Sequence, residues 1–140
     1  MPAKSTRISY TAAAATAADI GLVVYISNAG TVTKATASTA QGGGQVGVIT
    51  DVVSTTEVTV CVNGQCLGRV GDTWTTGTTT MWAMPAADAR LDPFAILSDT
   101  AFASQNQAIG YFVAAESGDF ANGDLQEFFV SPQLRPDSQT

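Results

Sequence analysis

From Ile20 onward the chain is cut into short runs of Val, Ile, Thr and aromatic residues, divided by Gly, Asn and Asp every 8 to 12 residues or roughly so. No run sustains the 3.6-residue apolar period of an amphipathic helix. A chain punctuated this way is expected to be all-β, a compact barrel or sandwich of short antiparallel strands with little helix. Strands are expected near Leu22–Ser27, Thr31–Ala35, Gln45–Val53, Glu57–Val62, Gln65–Val70, Thr80–Ala83, Phe94–Leu97, Ala108–Ala115 and Gln126–Val130. Asn28-Ala29-Gly30 and Val62-Asn63-Gly64-Gln65 carry turn chemistry, because Asn and Gly tolerate the positive φ of tight hairpins. The best short-helix candidate is Pro85–Leu91, with Pro85 at a first helical position and Ala86, Ala87 and Ala89 behind it.

The chain also resembles itself. The run from Leu22 to Val53 lies beside the run from Thr78 to Glu116: each has an aromatic-tipped strand, a small-residue connection, then a Gln and a Gly-centred apolar segment. The segments are Gln45 to Val48 and Gln107 to Tyr111, and two weakly similar halves of one domain are expected. At 140 residues the chain has the size of a single domain. Its boundaries are read as an extended, flexible N-terminal arm over 1–18, a β-rich domain over 19–132 and a polar tail over 133–140.

Charge and chemistry narrow the function. Charged residues make up 13% of the chain and apolar residues 45%, so the surface is solvated mainly by small and hydroxyl side chains and invites association. A net charge of −6, with Lys4, Arg7, Lys34, Arg69, Arg90 and Arg135 as the whole basic complement, argues against nucleic acid or an anionic membrane as partner. The chain has no histidine, which removes the commonest general base and the commonest metal ligand, so neither catalysis, a cofactor nor a metal site is expected. With no apolar run of membrane-spanning length and no leucine-rich leader, it reads as made in the cytoplasm.

Four constellations stand out. In the N-terminal segment Lys4, Arg7, Ile8 and Tyr10 combine two cations with two apolar anchors, either a frayed terminus or an arm that orders on a partner. Cys61 and Cys66 flank Val62-Asn63-Gly64-Gln65; in a two-residue hairpin they would face each other at a non-hydrogen-bonded pair, where a cross-strand disulfide fits, and otherwise they are two reduced strand thiols. Trp74 and Trp82, beside Met81 and Met84, are either core filling or part of a face between subunits. Phe128 and Phe129 are consecutive in a strand, so one face buries only one of them and the other needs a neighbour. The acidic residues Asp88, Asp92, Glu116, Asp119 and Asp124 lie in turn-like sequence and match neither a calcium loop nor a catalytic carboxylate pair.

The order of elements from Leu22 to Trp74 resembles the head decoration, or capsid cement, proteins of tailed bacteriophages, of the lambda type. The matching elements are Val24-Tyr25 at a strand end, the Gly30 turn, an Ala/Thr-rich connection, the strand Val46-Gly47-Val48-Ile49, the hairpin at Thr55-Thr56, and Val58, Val60 and Val62 leading to Gly64. Ile109-Gly110-Tyr111-Phe112-Val113 repeats the Gly-centred strand.

The resemblance implies a small β-rich virion protein, commonly a homotrimer, on the outer surface of the head. There it would bind the major capsid protein and clamp neighbouring capsid subunits, with residues 1–18 as the capsid-binding arm. The rival expectation is a β-sandwich binding module of a phage fibre or adhesin that recognises glycan or protein through Trp74, Trp82 and the loop from Glu116 to Asp124.

Overall fold

A computed structural model of the chain describes residues 5–27, 29–35, 45–71, 74–75, 81–85, 88–94, 108–112 and 119–133. The strands in chain order are β1 (Thr6–Thr11), β2 (Val23–Ile26), β3 (Val32–Lys34), β4 (Gln45–Ser54), β5 (Glu57–Arg69) and β6 (Trp74–Thr75). They continue with β7 (Met81–Pro85), β8 (Leu91–Phe94), β9 (Ala108–Phe112), β10 (Asp119–Phe120) and β11 (Leu125–Gln133). Among the described residues the helix is limited to one 3-10 turn, Ala17–Asp19. The fold is all-β, as the punctuated sequence implies, and its main sheet is a curled half-barrel.

The main sheet runs β3-β2-β4-β5-β11-β9-β7-β8, with β1 added against β5, while β6 and β10 form a separate ribbon. The order is symmetric about its centre. In the first half the β2–β3 hairpin pairs with β4 and β4 with β5; in the second the β7–β8 hairpin pairs with β9 and β9 with β11. β5 and β11 then join the halves. The weak internal likeness of the sequence therefore corresponds to a repeated four-strand pattern.

β5 is one continuous strand of 13 residues, which corrects the expected hairpin at Asn63-Gly64. Its first half pairs with β4 and β1, and its second half with β11. Between them Gly64 takes φ +95, and β1 passes from Arg7↔Cys61 to Thr6↔Asn63, leaving Val62 as an extra residue. Turn chemistry has been used for a bulge, which bends a strand instead of ending it. The bend brings the far end of β5, at Arg69, toward Ile49 of β4. Gly21, with φ +90, donates its N–H to Ile49 and accepts one from Arg69, which ties β4 to the far end of β5.

The interior of the curl is one apolar cluster drawn from both halves, including Val23, Val46, Val48, Cys61, Cys66, Leu91, Phe112, Phe128 and Val130. A second cluster, Val24, Ile26, Ile49, Val58 and Val60, lies on the opposite face of the first-half strands. Strands buried on both faces read as unbroken apolar runs, which is how Leu22-Val23-Val24 reads. The second cluster is covered by the N-terminal segment: Tyr10 and Ala12 pack on it and Ala15 belongs to it.

That covering revises the picture of a free arm. The segment is extended, and residues 6–11 pair along β5. Beyond the strand, Ala12 and Ala15 donate to the Thr56 and Thr55 carbonyls, and Asp19 accepts from the Thr16 N–H at 3.0 Å while pairing with Lys34 at 3.0 Å. The expected helix over Pro85–Leu91 is also corrected. Pro85 ends β7 and Leu91 opens β8; between them Ala89 has φ +68 and its carbonyl accepts the Val23 N–H. A bond to a distant strand outweighs the local propensity of three alanines.

Candidate functional site

Alternation along β11 separates the two phenylalanines. Phe128 is fully buried and meets Phe112 edge-on, with ring centroids 4.8 Å apart. It belongs to the core of its own chain, which corrects its reading as a subunit-interface residue. Phe129 stands on the other face, half-buried, and stacks on Tyr111 with centroids 5.5 Å apart and planes within 3°. One face buries only one of the pair, as period-2 geometry requires.

The register extends this stack into a row. Phe129 pairs with Tyr111, Tyr111 with Trp82, and Trp82 with Phe94, so four neighbouring strands carry an aromatic residue at one level. The adjoining level is Val130, Gly110 and Ala83, all buried. Trp82 therefore shares a register level with Phe129. Trp74 does not: it lies on the separate ribbon, opposite Phe120. The sequence shows these aromatics individually, but their row emerges only once the strands are placed in order.

The N-terminal strand divides its candidate residues between two faces. Ile8 pairs with Val60 and Tyr10 with Val58, above the second cluster, whereas Arg7 pairs with Cys61. Ile8 is 41% exposed and Arg7 is exposed, its Nε donating to Ser5 Oγ at 3.1 Å. Lys4 lies outside the described residues.

Cys61 and Cys66 are both reduced and buried. Five residues apart in a regular strand they would point to opposite faces; the extra residue at Val62 brings both into the interior cluster. The Cys61 thiol also approaches the Asn63 carbonyl at 3.3 Å and the Gly64 carbonyl at 3.7 Å. Cys66 donates to Cys61, which, helped by the Arg7 charge and against the cost of burial, lowers Cys61 to about 7. The same bond, together with burial, pushes Cys66 up. Cys66 forms part of the wall of a cleft of about 420 Å³ that also meets Arg7, Thr50, Gln65, Leu67 and Glu127.

Two arginines hold parts of the scaffold. Arg69 donates from Nε to the Ile20 carbonyl at 2.9 Å and from Nη1 to the Gly123 carbonyl at 2.8 Å. Arg90 donates to the Asn122 side chain at 2.8 Å and lies 3.6 Å from the Asp88 carboxylate. Asp88 and Asp124 thus sit in turns, Asp124 giving its carbonyl to the Val70 N–H, and Asp92 lies in β8 opposite Met84. Among the described residues no group of three or more Cys, Asp or Glu side chains is placed to hold a metal ion. No protein-family model matches the chain, and no curated protein matches it.

Proposed function

We propose that this chain is a structural protein of a bacteriophage virion, which binds the outer surface of the head and cements adjacent major capsid subunits. The reading rests on the order of sequence elements that resembles the decoration proteins. What supports it in the fold is the N-terminal strand, extended along β5 with every residue but Tyr10 exposed. Such a strand offers a partner its outer side chains and an open backbone edge, and a weak contact of this kind is strengthened when several symmetric copies bind together. The proposed assembly is a homotrimer made in the host cytoplasm and carried on the virion surface, with no nucleic acid, membrane or cofactor as partner. Co-sedimentation of the purified chain with empty heads, followed by heating of decorated and stripped heads, tests it. Retention with the heads and a higher disruption temperature are expected, and a chain left in the supernatant overturns the proposal.

The aromatic row favours a second reading, a glycan- or protein-binding module of a phage fibre or adhesin. Stacked Tyr111 and Phe129 form the kind of rigid apolar platform on which a sugar ring or a partner side chain packs. Saturable binding on a glycan array with no retention on heads would favour that module over the cement.

A further inference from the structure

Two breaks in strand regularity open onto one cleft, and we propose that this cleft, with Arg7 and Glu127 as its charged ends, binds a small zwitterion of the dipeptide class. On β5 the extra residue is Val62, followed by the bend at Gly64. On β4 it is Thr50, skipped between Ile49↔Val60 and Asp51↔Thr59. Bulges re-aim side chains that a regular ladder would hold in line. The resulting hollow of about 420 Å³ falls in the size range of small-molecule sites, and β1, β4, β5 and β11 all contribute to its walls.

The walls carry opposite charges that do not neutralise each other. Arg7 lies on β1 opposite Cys61, and Glu127 on β11 opposite Leu67. Their partners on β5 are separated by about 20 Å of straight strand, less across the bend. Among the described residues neither Arg7 nor Glu127 has an ion pair. Arg7 is held from behind: its Nε donates to Ser5 Oγ at 3.1 Å, and its two Nη groups donate to no described residue. A guanidinium held this way presents a fork to a carboxylate. Glu127 is exposed on the face of β11 away from the core, where its carboxylate accepts from an ammonium.

The ground between the charges is mixed. Leu67, 47% exposed, and Ile20, half-buried, give the cleft an apolar side. Gln65 adds an amide that both donates and accepts, and Thr50, whose Oγ1 donates to the Thr59 carbonyl at 3.3 Å, keeps its lone pairs for an incoming donor. An extended dipeptide matches this order, with its carboxylate on Arg7, its ammonium toward Glu127, its amide beside Gln65 and an apolar side chain over Leu67. A simple anion would meet Glu127 and a simple cation would meet Arg7, so a ligand of one charge is repelled at one end. The inference rests on the cleft alone and is independent of the capsid reading.

The test titrates the full chain with L-leucyl-L-leucine and follows backbone amide shifts by nuclear magnetic resonance. Saturable shifts at the cleft residues are expected, with a Kd at or below about 1 mM. Acetylating the amino end of the probe, or amidating its carboxyl end, should each weaken binding about tenfold or more. R7Q should lose the preference for the free over the amidated probe, and E127Q the preference for the free over the acetylated one. Both residues are exposed, and an unchanged urea midpoint verifies that the variants fold. The blocked probes test the charge order on the wild-type chain whatever the variants do. No saturation by about 10 mM, equal affinity for the free and blocked dipeptides, or shifts confined to residues outside the cleft each overturns the proposal.

Discussion

Gly110 lies so close to Phe129 that a Cβ on Gly110 would fall 1.8 Å from the Phe129 carbonyl oxygen. Gly47, in the corresponding segment of the first half, is hemmed in the same way, with Val60 Cγ1 at 2.4 Å and the Cys61 carbonyl at 2.7 Å from its missing Cβ. Both glycines therefore permit close strand approach, and backbone atoms do not yield. G110A is expected to destabilise the fold by about 3 kcal/mol or more. Gly30 supplies the contrast: it has φ +80 and no atom near its missing Cβ, so G30A is expected to cost only the left-handed strain, about 1 to 2 kcal/mol. Urea melts of the three chains give the order, and a G110A midpoint equal to the wild type would contradict the close approach.

These two glycines also show what was legible beforehand. The Gly-centred segments were visible as a likeness between the halves, and they map onto matched strands, β4 and β9, each beside one of the two central strands. The corner of β5 was not legible. Asn-Gly serves a hairpin and a bulge equally well, since both exploit a positive φ, and the choice depends on which strands lie alongside. Here β4 and β1 hold one side of Asn63-Gly64 and β11 the other, so the strand continues. The docking of residues 6–15 escaped notice for a related reason. Their apolar content is low, and only the pairing with β5 and the placement of Tyr10 and Ala15 reveal that they cover a second core. The aromatic row likewise depends on strand order, which no local pattern encodes.

Phe128 and Phe129 are expected to respond unequally to truncation. Phe128 fills the core, so F128A should cost about 3 to 5 kcal/mol, as loss of a buried aromatic does. Phe129 contributes mainly its half-exposed stack on Tyr111, and F129A should cost about 0.5 to 1.5 kcal/mol plus a small loss of buried area. The thermal midpoints of the two variants decide this. If the aromatic row is a binding face, F129A also loses ligand or partner while the far-ultraviolet circular dichroism stays that of the wild type.

Removal of residues 1–18 is expected to damage the fold, because it strips Tyr10, Ala12 and Ala15 from the second cluster and leaves Val58 and Val60 facing water. A lowered urea midpoint and binding of a hydrophobic dye are the signs to look for. Point changes at two exposed residues separate docking from binding: I8A and R7A should each move stability by less than about 1 kcal/mol. Under the capsid proposal they weaken retention on heads in the co-sedimentation assay. Retention unchanged in both variants would remove Ile8 and Arg7 from the contact.

The thiol pair sets the pH dependence of the reduced protein. Cys61 has its pKa lowered from 9.0 to about 7 by the hydrogen bond from Cys66, with the Arg7 charge assisting, while Cys66 is pushed up by the same bond and by burial. Of the charged groups around the pair, Arg7 comes from β1 and Glu127 from β11, and the paired β4 residue, Val48, has no charge. Between about 7 and 9.0 the folded chain has released the Cys61 proton and the unfolded chain still holds it, so stability should rise with pH. Above 9.0 the unfolded chain also loses the Cys66 proton, which the folded chain keeps, and stability should fall again. Urea melts under reducing conditions are expected to show this maximum on the alkaline side of neutrality, and C61A should lose the rising limb. The ultraviolet absorbance of thiolate should report one group titrating near neutrality in the folded chain; two thiols titrating together with the ordinary cysteine value would show that the hydrogen bond across the corner is not made.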